Sequence, residues 1–192
     1  GEMLEGKFGS AGQIIVVEEF LSGPEASILA FVDGRTAVPM VSAQDYKRAL
    51  DGDGGLNTGG MGAVSPAFYY DDAVADRVQR EIIDVTLKGL MAEDIEYKGI
   101  LYFGLILTDD GPKVIEFNAR FGDPETEVVL LRLETDLVDI MDMVVDGDLK
   151  DADIKWTEKK AHCAVIASGG YPKGYEKGYE ITGLSKVPED IS

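Results

Sequence analysis

Two apolar runs joined by a tight turn limit the folds open to this chain more than any other feature. Gly99 to Leu107 and Lys113 to Asn118 are separated by Asp109-Asp110-Gly111. A short connection rich in Asp and Gly between two strand-like runs is typical of a β-hairpin. The two strands of a hairpin are antiparallel, so this region predicts the centre of an antiparallel sheet.

Further strands are predicted upstream of this hairpin. Gln13 to Phe20 is rich in Ile and Val, and Glu25 to Val32 is a second run of the same kind. Asp33-Gly34 forms a turn signal that leads into Ala37 to Val41. We therefore expect these three segments to form an antiparallel meander.

The spacing of apolar residues becomes helical after residue 70. Asp71 or Asp72 can cap the first turn, and the helix is expected to end near Gly89 or Asp94. The apolar stripe of this helix consists of Val74, Val78, Ile82 and Val85.

Two more helices are predicted after the hairpin. Asp123-Pro124-Glu125 supplies a cap, a proline at the first helical position and an acid in the first turn. Another helix is expected from about Asp136 until Gly147 stops it. Its stripe consists of Leu137, Ile140, Met141, Val144 and Val145.

These elements predict the α+β class, with an antiparallel sheet, packed helices and the beginning of a small C-terminal domain. Residues 1–12 are glycine-rich and read as a linker entering from something upstream. Ala161 to Ala167 is a strand candidate beyond the polar stretch 148–160. Because the few strands after it could not bury a core alone, we expect a domain boundary near residue 150.

Composition excludes several classes of function. The 192 residues carry a formal net charge of -18, which would repel nucleic acid and anionic membrane surfaces. No apolar run is long enough to span a bilayer, so no membrane partner is expected. Cys163 is the only cysteine, so no internal disulfide can form and a cytoplasmic location is the default expectation.

The second hairpin strand carries polar residues at alternate positions. Side chains alternate between the faces of a strand, so Glu116, Asn118 and Arg120 are predicted on one face, with Ile115 and Phe117 on the other. A carboxylate and an amide oxygen can share one Mg2+ ion that also holds nucleotide phosphates. A solvated strand face is the alternative interpretation.

A glycine-bearing loop, Leu56 to Pro66, is the next candidate. Its paired glycines allow close backbone approach and could present N-H groups to an anion, whereas a plain flexible connection would also explain them. The adjacent Lys47 and Arg48 are unusual in so acidic a chain. His162 and Cys163 are interpreted as structural, because no metal cluster or nucleophile motif accompanies them.

Taken together, several runs resemble the phosphoribosylamine-glycine ligase family, which belongs to the ATP-grasp superfamily. The runs are VVEEFLSGPEAS from Val16, AQDYKR from Ala43, NTGGMGAVSP from Asn57, KVIEFNARFGDPE from Lys113 and ASGGYPKGY from Ala167. They occur in one order and span nearly the whole chain. The resemblance implies residues 1–21 as the end of the ATP-grasp lid, residues 22–149 as the core and residues 150–192 as the start of the C-terminal domain.

The same resemblance implies roles for individual residues. The backbone of the hinge segment, which runs from Glu18 and Glu19 to Leu21, would contact adenine. Glu25 would bind the ribose hydroxyls. Glu116 and Asn118 would bind Mg2+ or Mn2+, while Lys47 and Arg120 would contact the phosphates of ATP. The contacts for the amine or amino-acid substrate would be Asp45, Asn57, Thr58, Gly59, Gly60, Met61 and Gly62.

The implied reaction joins glycine to 5-phosphoribosylamine through a glycyl phosphate, with ADP and phosphate as further products. Another ATP-grasp ligase, or a nucleotide-binding module without catalysis, are the alternatives. We expect the loop from Asn57 to Gly62 to be mobile, because its glycines offer little packing. We also expect these residues alone to be inactive, because the resemblance places an N-terminal region of the same polypeptide upstream of Gly1.

Overall fold

A four-stranded antiparallel sheet with helices on both faces forms the core of the protein. The computed structural model describes residue 6, residues 9–188 and residue 191. The strands are β1 (Glu25–Asp33), β2 (Ala37–Pro39), β3 (Gln44–Asp45), β4 (Arg48–Leu50), β5 (Gly54–Asn57), β6 (Gly62–Ser65), β7 (Lys98–Thr108), β8 (Gly111–Asn118) and β9 (Ala161–Ala164). The helices are α1 (Asp72–Val78), α2 (Asp84–Ala92), α3 (Glu125–Leu130) and α4 (Leu137–Asp146).

The large sheet has the strand order β2-β1-β7-β8, and its central strand β1 is buried on both faces. Ile28, Ala30 and Val32 pack beneath α1 and α2. Leu29 and Phe31 point the other way, into the core beneath α3 and α4. This alternation along one strand joins two hydrophobic cores, and it confirms the predicted α+β class with helices packed on an antiparallel sheet.

Two smaller sheets complete the fold. Strands β3, β6 and β9 form one of them, and β4 pairs with β5 in the other. β9 is shorter than the predicted strand from Ala161 to Ala167, and Ile166 just beyond it is 98% exposed. The division of the chain at residues 21 and 150 stays a prediction.

The first predicted helix is confirmed at its start and close to its end. Asp71 caps it by accepting a hydrogen bond from the Val74 amide, and α2 ends at Ala92. The prediction that Val85 belongs to the buried stripe is wrong, because this residue is 55% exposed. A π-helical turn from Gln79 to Ile83 joins α1 to α2, and its wider turn rotates the later residues, so that Leu87 packs on the core instead.

The helices after the hairpin begin close to the predicted positions. α3 starts at Glu125, but Pro124 occupies the cap position and the predicted Asp123 cap is wrong, because the Thr126 amide donates to the carbonyl of Gly122 instead. Asp136 caps α4 as predicted, and Gly147 ends it. Val145 is exposed because the buried face of α4, formed by residues such as Ile140 and Val144, is narrower than the predicted stripe.

The predicted strand from Gln13 to Phe20 is wrong. A 3-10 turn spans Gly9–Gln13, and in the described part of the chain no strand pairs with the residues that follow. The side chains of Val17 and Phe20 are 86% and 92% exposed. Ile and Val favour strands, but a strand also needs a hydrogen-bonded neighbour, and none is provided within the described residues.

Residues 1–5, 7 and 8 of the predicted linker lie outside the described residues. None of the helices in the described part of the chain has the length and apolar character that a membrane crossing requires.

Candidate functional site

The β7–β8 hairpin places Glu116 and Asn118 on the same face of the large sheet. Glu116 lies opposite Gly104, and Asn118 lies opposite Tyr102. Gly104 makes room for the acid, since a Cβ atom added there would come within 2.9 Å of the Glu116 Cγ. The geometry therefore keeps a carboxylate and an amide together on one strand face.

A β-bulge alters the rest of the predicted alternation. Leu105 pairs with Val114 while Gly104 pairs with Glu116, so Ile115 is an extra residue on β8. The Phe117 ring contacts Phe103 edge-on at 5.5 Å, and Val114 packs into the same core. Val114 and Phe117 therefore share one face, and the bulge interrupts the regular alternation that the sequence predicted across Ile115.

Arg120 does not lie on the strand, because β8 ends at Asn118. Its guanidinium is exposed and donates to the carbonyl of Phe121 at 2.8 Å. Strand alternation therefore does not place Arg120 beside Glu116 as the sequence predicted.

Lys47 lies at the centre of a group of carboxylates. Its Nζ atom is 3.0 Å from Glu25 Oε2, at the first residue of β1. Burial opposes the charge on Lys47, but the hydrogen bond and the charge of Glu25, with the charges of Glu116 and Asp45, raise its pKa. The raised pKa therefore keeps Lys47 in its cationic form, close to the carboxylates of Glu116 on β8 and Asp45 on β3.

Asp45 is a carboxyl group without its full set of partners. Its Oδ1 atom is buried and, among the described residues, has no hydrogen-bond partner. Burial, together with the negative charge of Glu125, raises the pKa of Asp45 to about 7. A group in this state is suited to hold an ammonium group or to exchange a proton near neutral pH.

A buried hydroxyl–carboxylate network, which the sequence analysis missed, lies next to Asp45. The Ser27 Oγ and the Tyr102 Oη both donate to Glu125 Oε1 at 2.8 Å, and Glu125 is 2% exposed. Burial and the Glu125 carboxylate raise the pKa of Tyr102. The only sequence signal for this network is that Ser27 and Tyr102 carry hydroxyl groups within apolar strands. From the sequence, Glu125 was predicted only as an acidic residue in the first turn of a helix.

The loop from Asn57 to Gly62 is tied to the short connection between β3 and β4 that carries Lys47. The Thr58 amide and hydroxyl both donate to the Lys47 carbonyl, at 2.7 and 2.9 Å. The Gly60 amide donates to Thr58 Oγ1 at 3.0 Å, and the Met61 amide donates to the Tyr46 carbonyl at 2.8 Å. These bonds place the loop beside Lys47 and Asp45.

Two glycines of this loop lie where other residues would not fit. Gly60 has a φ of +131°, and a Cβ there would collide with Pro124 Cδ and come within 3.0 Å of Asp45 Oδ1. Gly62 has a φ of +154°, and its Cβ would lie 2.5 Å from the Cys163 carbonyl. The expectation of a mobile loop assumed that its glycines offer little packing, and this reason is wrong.

Some of the predicted site residues line two separate clefts, whereas Glu116, Asn118 and Arg120 line neither of them. The acceptor cleft, of about 510 Å³, is lined by residues that include Glu25, Asp45, Lys47 and Asn57. The hinge cleft, of about 360 Å³, is lined by Glu18, Glu19, Phe20, Leu21, Ile106, Lys113, Val114 and Ile115. Lys113 Nζ closes one side of the hinge cleft through an ion pair with Glu19 Oε2 at 2.8 Å.

A third cleft of about 550 Å³ lies at the opposite end of β1, against Asp33 and Lys98. Burial alone would raise the pKa of Asp33, but bonds from the amides of Arg35, Thr36 and Leu149 lower it. These bonds occupy the carboxylate in holding a turn and the region after α4. The cleft is the largest of the three, yet it is remote from every predicted site residue.

The donor set suits a cation that is held only in part by protein. No group of three or more His, Cys, Asp and Glu side chains within the described residues could enclose a metal ion. Mg2+ is commonly bound by one or two protein oxygens together with phosphates, so Glu116 and Asn118 fit this mode.

The Cys163 Sγ lies 3.7 Å from the Pro124 carbonyl, and burial raises the pKa of its thiol. A thiol with a raised pKa is less often ionised, which does not favour Cys163 as a nucleophile.

Residues 1–126 match the family described as phosphoribosylglycinamide synthetase, ATP-grasp (A) domain. A phosphoribosylamine–glycine ligase of Halalkalibacterium halodurans is 52% identical over 184 residues, which cover 96% of this chain and 42% of the relative. A protein of the same name from Listeria monocytogenes is 51% identical over 190 residues, covering 99% and 45%. The chain therefore spans less than half the length of these relatives.

Solved structures give the same fold. The crystal structure of phosphoribosylamine–glycine ligase from Thermotoga maritima matches with a TM-score of 0.77 and 40% identity, covering 90% of this chain and 42% of that one. A biotin carboxylase from Campylobacter jejuni matches with a TM-score of 0.53 and 18% identity, covering 76% and 30%. This second likeness shows the fold alone, and the family match over residues 1–126 identifies that fold as the predicted ATP-grasp fold.

Proposed function

We propose that this chain, which belongs to the phosphoribosylglycinamide synthetase ATP-grasp domain family, supplies the acceptor and metal side of a site that joins glycine to 5-phosphoribosylamine. The observation that carries the proposal is the position of Lys47 among Glu25, Asp45 and Glu116. A cation, several carboxylate groups and a substrate-sized cleft then lie together. The names of the relatives supply the substrates.

Glu116 and Asn118 are proposed to hold Mg2+ or Mn2+ together with the phosphates of ATP. When bound, such an ion offsets the charge that develops on the transferred phosphoryl group. Their shared face and the space left by Gly104 support this assignment.

Lys47 and Arg120 are proposed to contact the phosphates. Lys47 is paired with Glu25, which is itself proposed to bind the ribose, so the pair has to open when the nucleotide binds. Both side chains are partly exposed, and an ion pair of this kind stabilises a protein by about 1 kcal/mol at most. Opening the pair is therefore easily offset by binding a polyphosphate.

The hinge cleft is proposed to take adenine against the backbone of Glu18 to Leu21. Its opposite wall includes Ile106, Val114 and Ile115, which are apolar and can cover a flat ring. The polar groups at its rim are supplied by Glu19 and Lys113.

Asp45 and the loop from Asn57 to Gly62 are proposed to hold the amino group of glycine or of 5-phosphoribosylamine. An ammonium group would satisfy the unpartnered Oδ1 of Asp45, and a carboxyl with a pKa of about 7 can take a proton from an amine. ATP would phosphorylate the glycine carboxylate, and the amine would displace phosphate from the resulting acyl phosphate. Such a reaction depends on positioning and charge stabilisation, without a protein nucleophile.

The test is an assay of ADP release with the full-length polypeptide, glycine and freshly made 5-phosphoribosylamine. We expect ADP release to require both substrates and a divalent cation. Bicarbonate in place of glycine is the matched control, because other ATP-grasp ligases use it. ADP release with bicarbonate but not with glycine would show a different ligase, and ATP binding without any turnover would show a non-catalytic nucleotide-binding module.

A further inference from the structure

The C-terminal part of the chain reaches the tip of the loop from Asn57 to Gly62. The Gly59 amide donates to the Tyr171 hydroxyl at 3.0 Å, across 112 positions of sequence. The Val165 amide donates to the Met61 carbonyl at 2.9 Å, and β9 pairs with β6 directly beyond it. Two separate parts of the tail, which is residues 161–188, therefore hold one side of the acceptor loop, which is the loop from Asn57 to Gly62.

We propose that Tyr171 is a positioning residue for this loop, which fixes the wall against which the amine or amino-acid substrate binds. The inference rests on the proposed function. Tyr171 belongs to the run ASGGYPKGY, which contributes to the family resemblance, but no function was predicted for any residue of this run. Its hydroxyl would act through the loop, without contact to the reacting atoms.

The Gly59 amide differs from the other amides of the loop in its partner. Those of Thr58 and Met61 donate to carbonyls of Lys47 and Tyr46, and that of Gly60 donates to the Thr58 side chain. Only the Gly59 amide, among Thr58 to Met61, donates to a residue of the tail. Loss of the Tyr171 hydroxyl would therefore release the tip while the base of the loop keeps its bonds.

The Tyr171 ring is itself held in place. It packs edge-on against the Tyr175 ring, with centroids 5.3 Å apart, and the Tyr171 amide donates to the Ser168 carbonyl at 3.2 Å. The Lys173 amide then donates to the Gly170 carbonyl at 3.0 Å. A turn and a neighbouring aromatic ring thus position the hydroxyl before any substrate binds.

Release of the tip would affect one side of the site more than the other. Gly60, one residue after Gly59, is in close contact with Pro124 and faces Asp45 Oδ1. A displaced loop would therefore change the surroundings of Asp45, where the amino group is proposed to bind. The hinge cleft is lined by residues 18–21, 106 and 113–115, and it shares no segment with this loop.

The experiment compares Tyr171→Phe with the wild type and with Tyr179→Phe in the full-length enzyme. Tyr179→Phe is a matched control, because it also removes one tail hydroxyl, which donates to Glu176 instead. Loss of one hydrogen bond predicts an increase of about three- to tenfold in KM for glycine or 5-phosphoribosylamine in Tyr171→Phe. KM for ATP and kcat should stay within about twofold of the wild type, since uniform binding of one substrate is what is weakened.

A second measurement is hydrogen exchange of the peptide that covers residues 57–62, which should be faster in Tyr171→Phe alone. The inference is overturned if all three KM values are unchanged, if KM for ATP rises equally, or if Tyr179→Phe has the same effect. If the wild type gives no ADP with glycine and 5-phosphoribosylamine, the proposed function fails instead. Exchange then decides the inference by itself, and unchanged exchange in Tyr171→Phe overturns it.

Discussion

The acceptor loop and the hinge segment are held in opposite ways. The loop from Asn57 to Gly62 is rich in glycine, yet hydrogen bonds from four amides and close contacts with Pro124 and Cys163 fix it. The segment from Gln13 to Leu21, which ends with the residues proposed to contact adenine, is rich in Ile and Val, yet Val17 and Phe20 are almost fully exposed. The difference teaches that hydrogen-bonding and packing partners, and not residue composition, decide which side of the site is held in place by the described residues.

The largest expected effect concerns the hinge cleft. We predict that these 192 residues alone release no more ADP than an enzyme-free control, since they span less than half of the relatives and leave the hinge cleft open to water. The full-length polypeptide, assayed in parallel with glycine and 5-phosphoribosylamine, is the control. Comparable activity of the two would mean that the hinge side needs no further covering.

The next effect concerns β8, which carries the residues proposed to hold the metal ion. Glu116→Ala in the full-length enzyme should lower kcat by about a hundredfold or more with the fold retained, because a charged ligand of the cation is lost. Glu93→Ala, at the exposed end of α2, should leave kcat unchanged. Full turnover with an unaltered Mg2+ requirement in Glu116→Ala would remove Glu116 from the metal site.

A smaller effect tests the packing of the acceptor loop. Gly60→Ala should lower the free energy of unfolding by about 1–3 kcal/mol, because the new methyl group collides with Pro124. Gly59→Ala is the matched control, with only the Tyr171 hydroxyl at 3.5 Å from the added Cβ, and should change stability by less than about 0.5 kcal/mol. Denaturant unfolding of both variants measures this difference, and equal effects would contradict the described packing.

The pH dependence of stability tests the surroundings of Asp45. Its pKa is raised from 3.8 to about 7 in the folded protein, so folding favours the protonated form. The contribution of Asp45 to the free energy of unfolding is therefore greatest below pH 3.8 and falls as pH rises toward about 7, where the loss levels off. Asp45→Asn should remove this loss, and its Tm advantage over the wild type should be larger at pH 8 than at pH 5.

A Tm advantage of Asp45→Asn that is equal at the two pH values would contradict the raised pKa. Ser42→Ala, which removes a hydroxyl that accepts a bond from the Ala67 amide, serves as a control without a titrating group. Its effect on Tm should be independent of pH.

Strands and helices whose sequence signals lie within a few neighbouring residues were predictable. The β7–β8 hairpin, the Asp71 and Asp136 caps and the end of α4 at Gly147 all rest on signals within a few residues. Val85 was not predictable, because the π-helical turn that rotates it has no signal in the spacing of apolar residues.

The candidate site was predictable where one strand carries it and not where distant segments meet. Glu116 and Asn118 follow from strand alternation alone. The inward position of Glu125 depends on Ser27 and Tyr102, which lie 98 and 23 positions away in the sequence. Contacts of this kind arise from packing of the whole domain, so no local sequence pattern predicts them.

Hydrogen exchange of the two segments in this chain, without ligands, compares them directly. We predict slow exchange for the amides of residues 58–61, whose partners are identified, and fast exchange for residues 15–20, which have no strand neighbour among the described residues. The β1 amides serve as the slow reference. Exchange of the loop as fast as that of residues 15–20 would contradict the conclusion that the acceptor side is preformed and the hinge side is not.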